Sequence, residues 1–290
     1  MKLFRFGKPG EEKPGILIND KKYDISSFSR DYDEQFFSSG SIIQLQEFIN
    51  TNPSALIELA EDIRFGPPVC RPSKLICIGL NYRDHALETS SPIPNEPIIF
   101  FKSQTAICGP NDNLIIPLGS KKTDWEVELA VVIGKKASYV SEQEADKYIA
   151  GYILHNDYSE REFQLERGGQ WVKGKSCDTF APLGPYMVTN DELGNIDDLK
   201  MWLKVNSKIM QNSSTSQMIF KIPFLIHYVS QFMTLLPGDI ISTGTPYGVG
   251  LGFNPPIYLK AGDIVELGIE GLGISRQEVK DYIKSNDFSN

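Results

Sequence analysis

Histidine is scarce in this chain, with only three in 290 residues. Cysteine is nearly as rare. Cys70, Cys77, Cys108 and Cys177 are scattered, and no two form a C-x-x-C pair. That spacing excludes a zinc finger, gives no disulfide framework, and suits a reducing compartment. Basic runs are absent, and 29 Lys and Arg stand against 37 Asp and Glu, for a net charge of −8. Nucleic acid is therefore not an expected partner. Long apolar runs are absent too: "LAVVI" is far too short to span a bilayer. The opening "MKLFRFGKPGEEKPG" has no sustained apolar segment of the kind a secretory signal needs. The expectation is a cytoplasmic protein with no membrane partner. No solenoid-type repeat is visible. The acid excess adds a condition. An acidic substrate would need local positive charge, from side chains or from a metal.

What is present is ordinary globular material, 41% apolar and 23% charged. The length suits one large domain, or a large and a small one. Residues 1–66 read as a small N-terminal α/β unit. Within it "GILIND" and "KKYDIS" form a hairpin turning near Asn19 and Asp20. "SIIQLQEFINTNPSALIELAED" has helical spacing, with Ile42, Leu45, Phe48 and Ile49 on one face. Proline-rich 67–74 reads as a linker. Residues 75–290 are mostly strand-like: "LICIGL", "PIIFFKS", "ELAVVIG", "GYILHND", "GPYMVT", "MWLKVNS", "DIISTG" and "DIVELGI". "SEQEADKYIA" and "IPFLIHYVSQFMTLL" are the best helices there. Strands and helices do not alternate, so a doubly wound parallel sheet is not expected. The fold class is α+β, mostly β, a mixed β-sandwich roll.

Candidate chemistry begins at "TDWEVELAVVIG", residues 123–134. On a strand, Glu126 and Glu128 share one face. They would sit roughly 6–7 Å apart, close enough to converge on one ion. The alternative is a solvated face neutralised by Lys121 and Lys122. A third ligand could come from a neighbouring strand, where Asp157 ends "GYILHND", 29 residues after Glu128. An all-carboxylate set selects a hard cation, Mg²⁺ or Mn²⁺, with Ca²⁺ as a substitute.

In "LICIGLNYRDHALETS", Asn81 could cap a short helix. His85 and Glu88 would then share a helical face, three residues apart. That pairing makes a general base, or simply a surface ion pair. His155 and His227 sit in apolar runs and read as packing residues. Gly169 to Ser176 spells the P-loop pattern G-x-x-x-x-G-K-S. A polar stretch precedes it and prolines follow it, so a nucleotide P-loop is not expected. Lys175 remains as a fixed positive charge. "STGTPYGVG" follows a strand. It is either a tight connection or a cradle of backbone N–H groups, with the Thr245 hydroxyl, for a carboxylate.

Six motifs in order carry a resemblance over about residues 75–275. They are "IGLNYRDHALE", "PIIFFKSQTAICGPND", "DWEVELAVVIG", "AGYILHNDYSEREFQ", "WVKGKSCDTFAPLGP" and "PGDIISTGTPYGVG". Together they resemble the fumarylacetoacetate hydrolase family, closest in look to its 2,4-diketo-3-deoxy-L-rhamnonate and L-fuconate hydrolases. The resemblance implies a divalent metal and a homodimer. It implies metal ligands Glu126, Glu128 and Asp157, and a water-activating dyad His85 and Glu88 on a lid-like segment. It gives Lys175 to enolate support, and Lys102, Arg161, Gln164 and Thr245 to substrate contacts. The implied activity is hydrolysis of a C–C bond in a 2,4-diketo acid, either an acylpyruvate or a sugar acid. Alternatives are ureidoglycolate lyase, oxaloacetate decarboxylase and 2-oxo-enoate hydratase chemistry. Outside the family stand a P-loop protein and a non-enzymatic scaffold.

Overall fold

Strands dominate the computed structural model, which describes residues 1–88 and 92–284. Thr89 and Ser90 of the quoted "LICIGLNYRDHALETS", and the 285–290 end of the second unit, lie outside the described residues. Among the described residues the strands fall into three sheets. The largest is mixed. Its order is Ile57–Glu58, Lys21–Asp24, Lys13–Ile18, Lys2–Phe6, Ala181–Thr189, Ile149–Asn156, Val127–Ile133, Ile240–Ser242, Leu75–Gly79, Ile98–Lys102. The second runs Lys208–Ser214, Lys200–Val205, Ile264–Ile269, Gly273–Asp281, Leu114–Ile116. Thr123–Asp124 and Ser159–Glu160 make a short ladder beside the site. The result is a mostly β, mixed-sheet roll, as expected, and no described sheet closes into a barrel.

Local sequence explains much of this. The hairpin of Lys13–Ile18 and Lys21–Asp24 turns on Asn19 and Asp20, with φ of 48° and 62°. Asn and Asp tolerate that left-handed region, and it matches the twist of the flanking strands. Every residue of Val127–Ile133 is buried. That strand lies between Ile149–Asn156 and Ile240–Ser242, so both faces need apolar or paired side chains. Strand Lys2–Phe6 pairs with Ala181–Thr189, so the strands of the first 66 residues extend the sheet of the remainder. In segment 67–74, Val69 is wholly buried and Cys70 N–H donates to the Tyr32 carbonyl.

Three helical expectations change. The Ser41–Thr51 helix forms, and Leu45 is buried with Ile42, Phe48 and Ile49 packed behind it. It stops before Pro53, whose ring disfavours helix at Asn52. Beyond it come a 3-10 turn and the strand Ile57–Glu58. "SEQEADKYIA" forms a 3-10 helix, Glu142–Tyr148, and the helix opening at Ile222 ends at Val229. All four cysteines are unbridged. No described helix is long and apolar enough to cross a membrane.

Candidate metal centre and active site

Two antiparallel strands end together at the site. Val127 faces Asn156 and Glu128 faces His155 across the Val127–Ile133 and Ile149–Asn156 pair. Glu126 and Asp157 thus lie one residue beyond the paired ends. The Asp157 N–H donates to the Glu126 carbonyl at 2.9 Å. The Asn156 side-chain oxygen accepts from the Glu126 N–H, also at 2.9 Å. Carboxylate oxygens of Glu126, Glu128 and Asp157 come within 4.8 Å of one another, and all three residues are buried. The buried strand behind them is a rigid support.

A solvated face does not form. Glu126 is 6% exposed and Glu128 is 2% exposed. Lys121 is exposed, and Lys122 pairs with Glu166 instead. Charge is met from distant parts of the chain. Lys175 Nζ lies 2.7 Å from Glu126 Oε2 and 2.9 Å from Asp157 Oδ2. Lys102 pairs with Asp157 and donates to the Tyr158 carbonyl at 2.9 Å. Arg161 reaches Glu126 at 2.7 Å and Asp124 at 2.8 Å, and donates to Gln164 Oε1 at 3.0 Å. Asp124 is wholly buried.

The titration behaviour follows. Burial raises the Asp157 carboxyl, but Lys102 and Lys175 outweigh burial and hold it below the usual range. Burial lowers Lys175, and Asp157 and Glu126 more than restore it, so it stays charged. Among the described residues no cation pairs directly with Glu128. Burial, then the charges of Asp157 and Glu126, push it well above the ordinary carboxylate range. One carboxyl of the three therefore resists ionising until further positive charge arrives. A buried all-oxygen set with one carboxylate short of a counter-charge fits a hard divalent cation.

Glu128 is held from the start of the glycine-rich loop Ser242–Gly250. Ser242 donates its hydroxyl proton to Glu128, and the Gly244 N–H donates at 3.1 Å. Ser242 then accepts from His155 Nδ1 at 2.7 Å. That assigns the proton to Nδ1 and leaves Nε2 buried without a partner. Burial lowers the His155 pKa to about 3, so the ring is neutral. His155 is more than a packing residue, whereas His227 ties its helix to the Val140 carbonyl.

The expected dyad forms on the helix Arg83–Glu88. His85 Nδ1 lies 3.1 Å from Glu88 Oε2. The Gly248 N–H donates to Glu88 Oε1 at 2.9 Å. A Cβ on Gly252 would meet the Glu88 carboxyl at 2.4 Å, so a larger residue there would displace that carboxyl from its place beside His85. Asn81 does not act as the expected cap. Its carboxamide binds the backbone of Phe220 and Thr243.

The glycine-rich loop is a cradle of backbone N–H groups, but for the protein's own carboxylates. Gly244 serves Glu128, Gly248 serves Glu88, and Gly250 with Leu251 serves Asp124. The Thr245 hydroxyl donates to the Val127 carbonyl at 3.0 Å and accepts from Gln211 at 2.9 Å. Its proton is committed to the ligand strand. The G-x-x-x-x-G-K-S pattern is no P-loop. A π-helical turn, Glu162–Glu166, precedes it, and its lysine enters the carboxylate group. Gly174 lets that turn close on Gln164, where a Cβ would come within 2.6 Å of the Gln164 backbone nitrogen.

His85, Glu126, Glu128, Arg161, Gln164, Lys175 and Thr245 all line one cavity of about 220 Å³. Glu88 contacts His85, Asp157 contacts Lys175, and Lys102 reaches Asp157. Of the missed residues, Asp124 stood in plain view as the first acid of "DWEVE". His155 and Gln211 gave no local signal, and Ser242 showed only as the first residue of the glycine-rich loop.

Comparison with known proteins agrees with this geometry. The family model for the fumarylacetoacetate (FAA) hydrolase C-terminal domain matches residues 74–280. A Burkholderia multivorans protein, named a hydrolase only provisionally, is 51% identical over 94% of this chain and 96% of its own. The fumarylacetoacetate hydrolase from psychrophilic Exiguobacterium antarcticum superposes with TM-score 0.86 at 32% identity, over 97% of this chain and all of its own. Maleylpyruvate hydrolase from Sphingobium sp. SYK-6, solved with manganese(II) and pyruvate, superposes with TM-score 0.81 at 28% identity, over 98% of this chain and all of its own. With its buried carboxylates, its histidine dyad and these relatives, the chain belongs to the fumarylacetoacetate hydrolase family.

Proposed function

We propose that the protein is a divalent-metal-dependent hydrolase. It cleaves the C3–C4 bond of a 2,4-diketo acid to release pyruvate and a second acid. The observation that carries this is the opening of the Glu126 and Glu128 carboxylates into one cavity with His85, whose ring is paired with Glu88. The manganese and pyruvate bound to the Sphingobium protein support it.

Glu126, Glu128 and Asp157 would hold the ion, Mg²⁺ or Mn²⁺. Bound there, it would neutralise the oxygens of a 2-oxo acid and draw off charge. The chain's own residues do the rest. Glu88 accepts from His85 Nδ1–H, which makes Nε2 the basic nitrogen. That nitrogen takes a proton from water as the hydroxide adds to C4. The C3–C4 bond breaks, its electron pair passes to an enolate, and C4 leaves as a carboxylic acid. Lys175, held charged by its two carboxylates, stabilises the enolate oxygen. The imidazolium returns its proton to C3 and pyruvate forms. Arg161 fixes Glu126 and Gln164 and brings positive charge to a net acidic protein.

Pyruvate release from a panel of 2,4-diketo acids, measured with a coupled dehydrogenase, tests this. Oxaloacetate, ureidoglycolate and a 2-oxo-enoate are assayed beside that panel. Pyruvate with a second acid from a diketo acid supports the hydrolase. Carbon dioxide from oxaloacetate, glyoxylate from ureidoglycolate or hydration of the enoate, without diketo cleavage, assigns the same residues to a lyase or hydratase.

A further inference from the structure

The three carboxylates of the site are not held alike. Arg161 and Lys175 meet the two oxygens of Glu126, and Lys102 and Lys175 meet those of Asp157. Glu128 takes two neutral donors instead, and both go to one oxygen, Oε2. They are the Ser242 hydroxyl and, at 3.1 Å, the Gly244 N–H. Two donors occupy both lone pairs of that oxygen. Among the described residues Oε1 accepts no hydrogen bond, and Glu128 lines the cavity.

The Ser242 hydroxyl has one proton to give. His155 Nδ1 lies 2.7 Å from the same hydroxyl oxygen. Beside a carboxylate, that oxygen gives its proton to Glu128 and accepts one from His155. Donation then runs one way, from ring to hydroxyl to carboxylate. Ser242 and His155 are wholly buried, so bulk water does not compete for either. Nε2 has no partner, which leaves Ser242 as the ring's one polar tie among the described residues. The three residues stand on three neighbouring strands, Ile149–Asn156, Val127–Ile133 and Ile240–Ser242, so the sheet fixes their spacing.

A carboxylate whose Oε2 is fully occupied has only Oε1 to offer a cation. Mg²⁺ keeps octahedral geometry and accepts single carboxylate oxygens with water beside them, whereas Ca²⁺ gathers about six to eight oxygens, often two from one carboxylate. We infer that the His155–Ser242 pair is a positioning device that withholds one oxygen of Glu128 and thereby selects Mg²⁺ or Mn²⁺ over Ca²⁺. This rests on the reading of Glu126, Glu128 and Asp157 as metal ligands, and not on the reaction.

Calorimetric titration of chelator-treated, full-length protein with Mn²⁺ and with Ca²⁺ tests it. The chains compared are wild type, Ser242→Ala, His155→Leu and His155→Asn. Asparagine can place a side-chain N–H where the imidazole Nδ1–H sits, and leucine cannot. The wild type should bind Mn²⁺ about tenfold or more tightly than Ca²⁺. Ser242→Ala and His155→Leu should weaken Mn²⁺ about 10–100-fold and Ca²⁺ much less, narrowing the ratio about tenfold. His155→Asn should restore it. A merely structural role would lower both affinities together and leave the ratio unchanged, which overturns the inference. Equal ratios in His155→Asn and His155→Leu also overturn it, and that pair decides if Ser242→Ala does not fold. A wild type that binds both ions equally sinks the inference and leaves the ligand reading standing. A wild type that binds neither ion removes the ligand reading, and the inference with it.

Discussion

Replacing Lys175 by Met would remove one charge and keep most of the side chain's volume. The ammonium lies 2.7 Å from Glu126 and 2.9 Å from Asp157, and it is almost wholly buried. Taking away one partner of a buried ion pair typically costs about 3–5 kcal/mol, because the other charge stays behind. Two carboxylates are left here, but one can take a proton, so that range is a ceiling. For a chain of this size it corresponds to a fall of about 5–8 °C in Tm. A bound divalent cation supplies the missing charge and should return most of that loss. Turnover should behave differently. Lys175 is assigned to charge that develops only in the transition state, and loss of one such donor costs about 10²–10³ in kcat. The assay is thermal unfolding with and without Mg²⁺, beside pyruvate release at saturating Mg²⁺. The account expects a metal-free protein of lowered Tm, rescued in stability by the ion but not in rate. Unchanged Tm without metal would refute the electrostatic argument. Wild-type turnover would refute the catalytic role.

Two more outcomes follow from the same geometry. His85→Ala should lower kcat about 10²-fold or more while leaving Mg²⁺ affinity within a few fold, since the three candidate ligands are Glu126, Glu128 and Asp157 and the ring pairs with Glu88; an unchanged rate removes the dyad from the mechanism. His155 should make the fold acid-sensitive. Its pKa falls from the usual 6.5 to about 3 on burial, so below pH 6.5 the unfolded chain binds a proton that the native one refuses. Its contribution is complete above pH 6.5 and is lost as pH falls toward 3. That amounts to about 2 kcal/mol between pH 6.5 and 5. His155→Gln should show a smaller drop in urea midpoint over that interval than the wild type, and equal drops would contradict the assignment.

The candidate ligands were legible because their relation is local. Glu126 and Glu128 are two residues apart, and Asp157 ends the strand that pairs with theirs. His85 and Glu88 needed only one helical turn. Asp124, Ser242 and Gln211 were not legible in role, because the partners that define those roles are 34 to 127 residues away. The glycine-rich loop showed its capacity to bind carboxylates, but nothing local said that those belong to the protein. Strands whose inward side chains are polar also escaped notice. Gly273–Asp281 buries Ser275 and Gln277, whose partners are the Pro110 carbonyl and, for Gln277, the Tyr158 hydroxyl. Lys208–Ser214 buries Gln211, which accepts from the Val127 N–H. Such strands break the apolar alternation on which a sequence argument depends.

The central claim is that Glu126, Glu128 and Asp157 hold one divalent cation required for turnover. Calorimetric titration of chelator-treated protein with Mg²⁺ or Mn²⁺, with pyruvate release followed in the same samples, tests it most directly. The account predicts one ion per chain, activity that returns in step with occupancy, and loss of both in Asp157→Asn. Full pyruvate release from metal-free protein, or ordinary cation binding in Asp157→Asn, would contradict it.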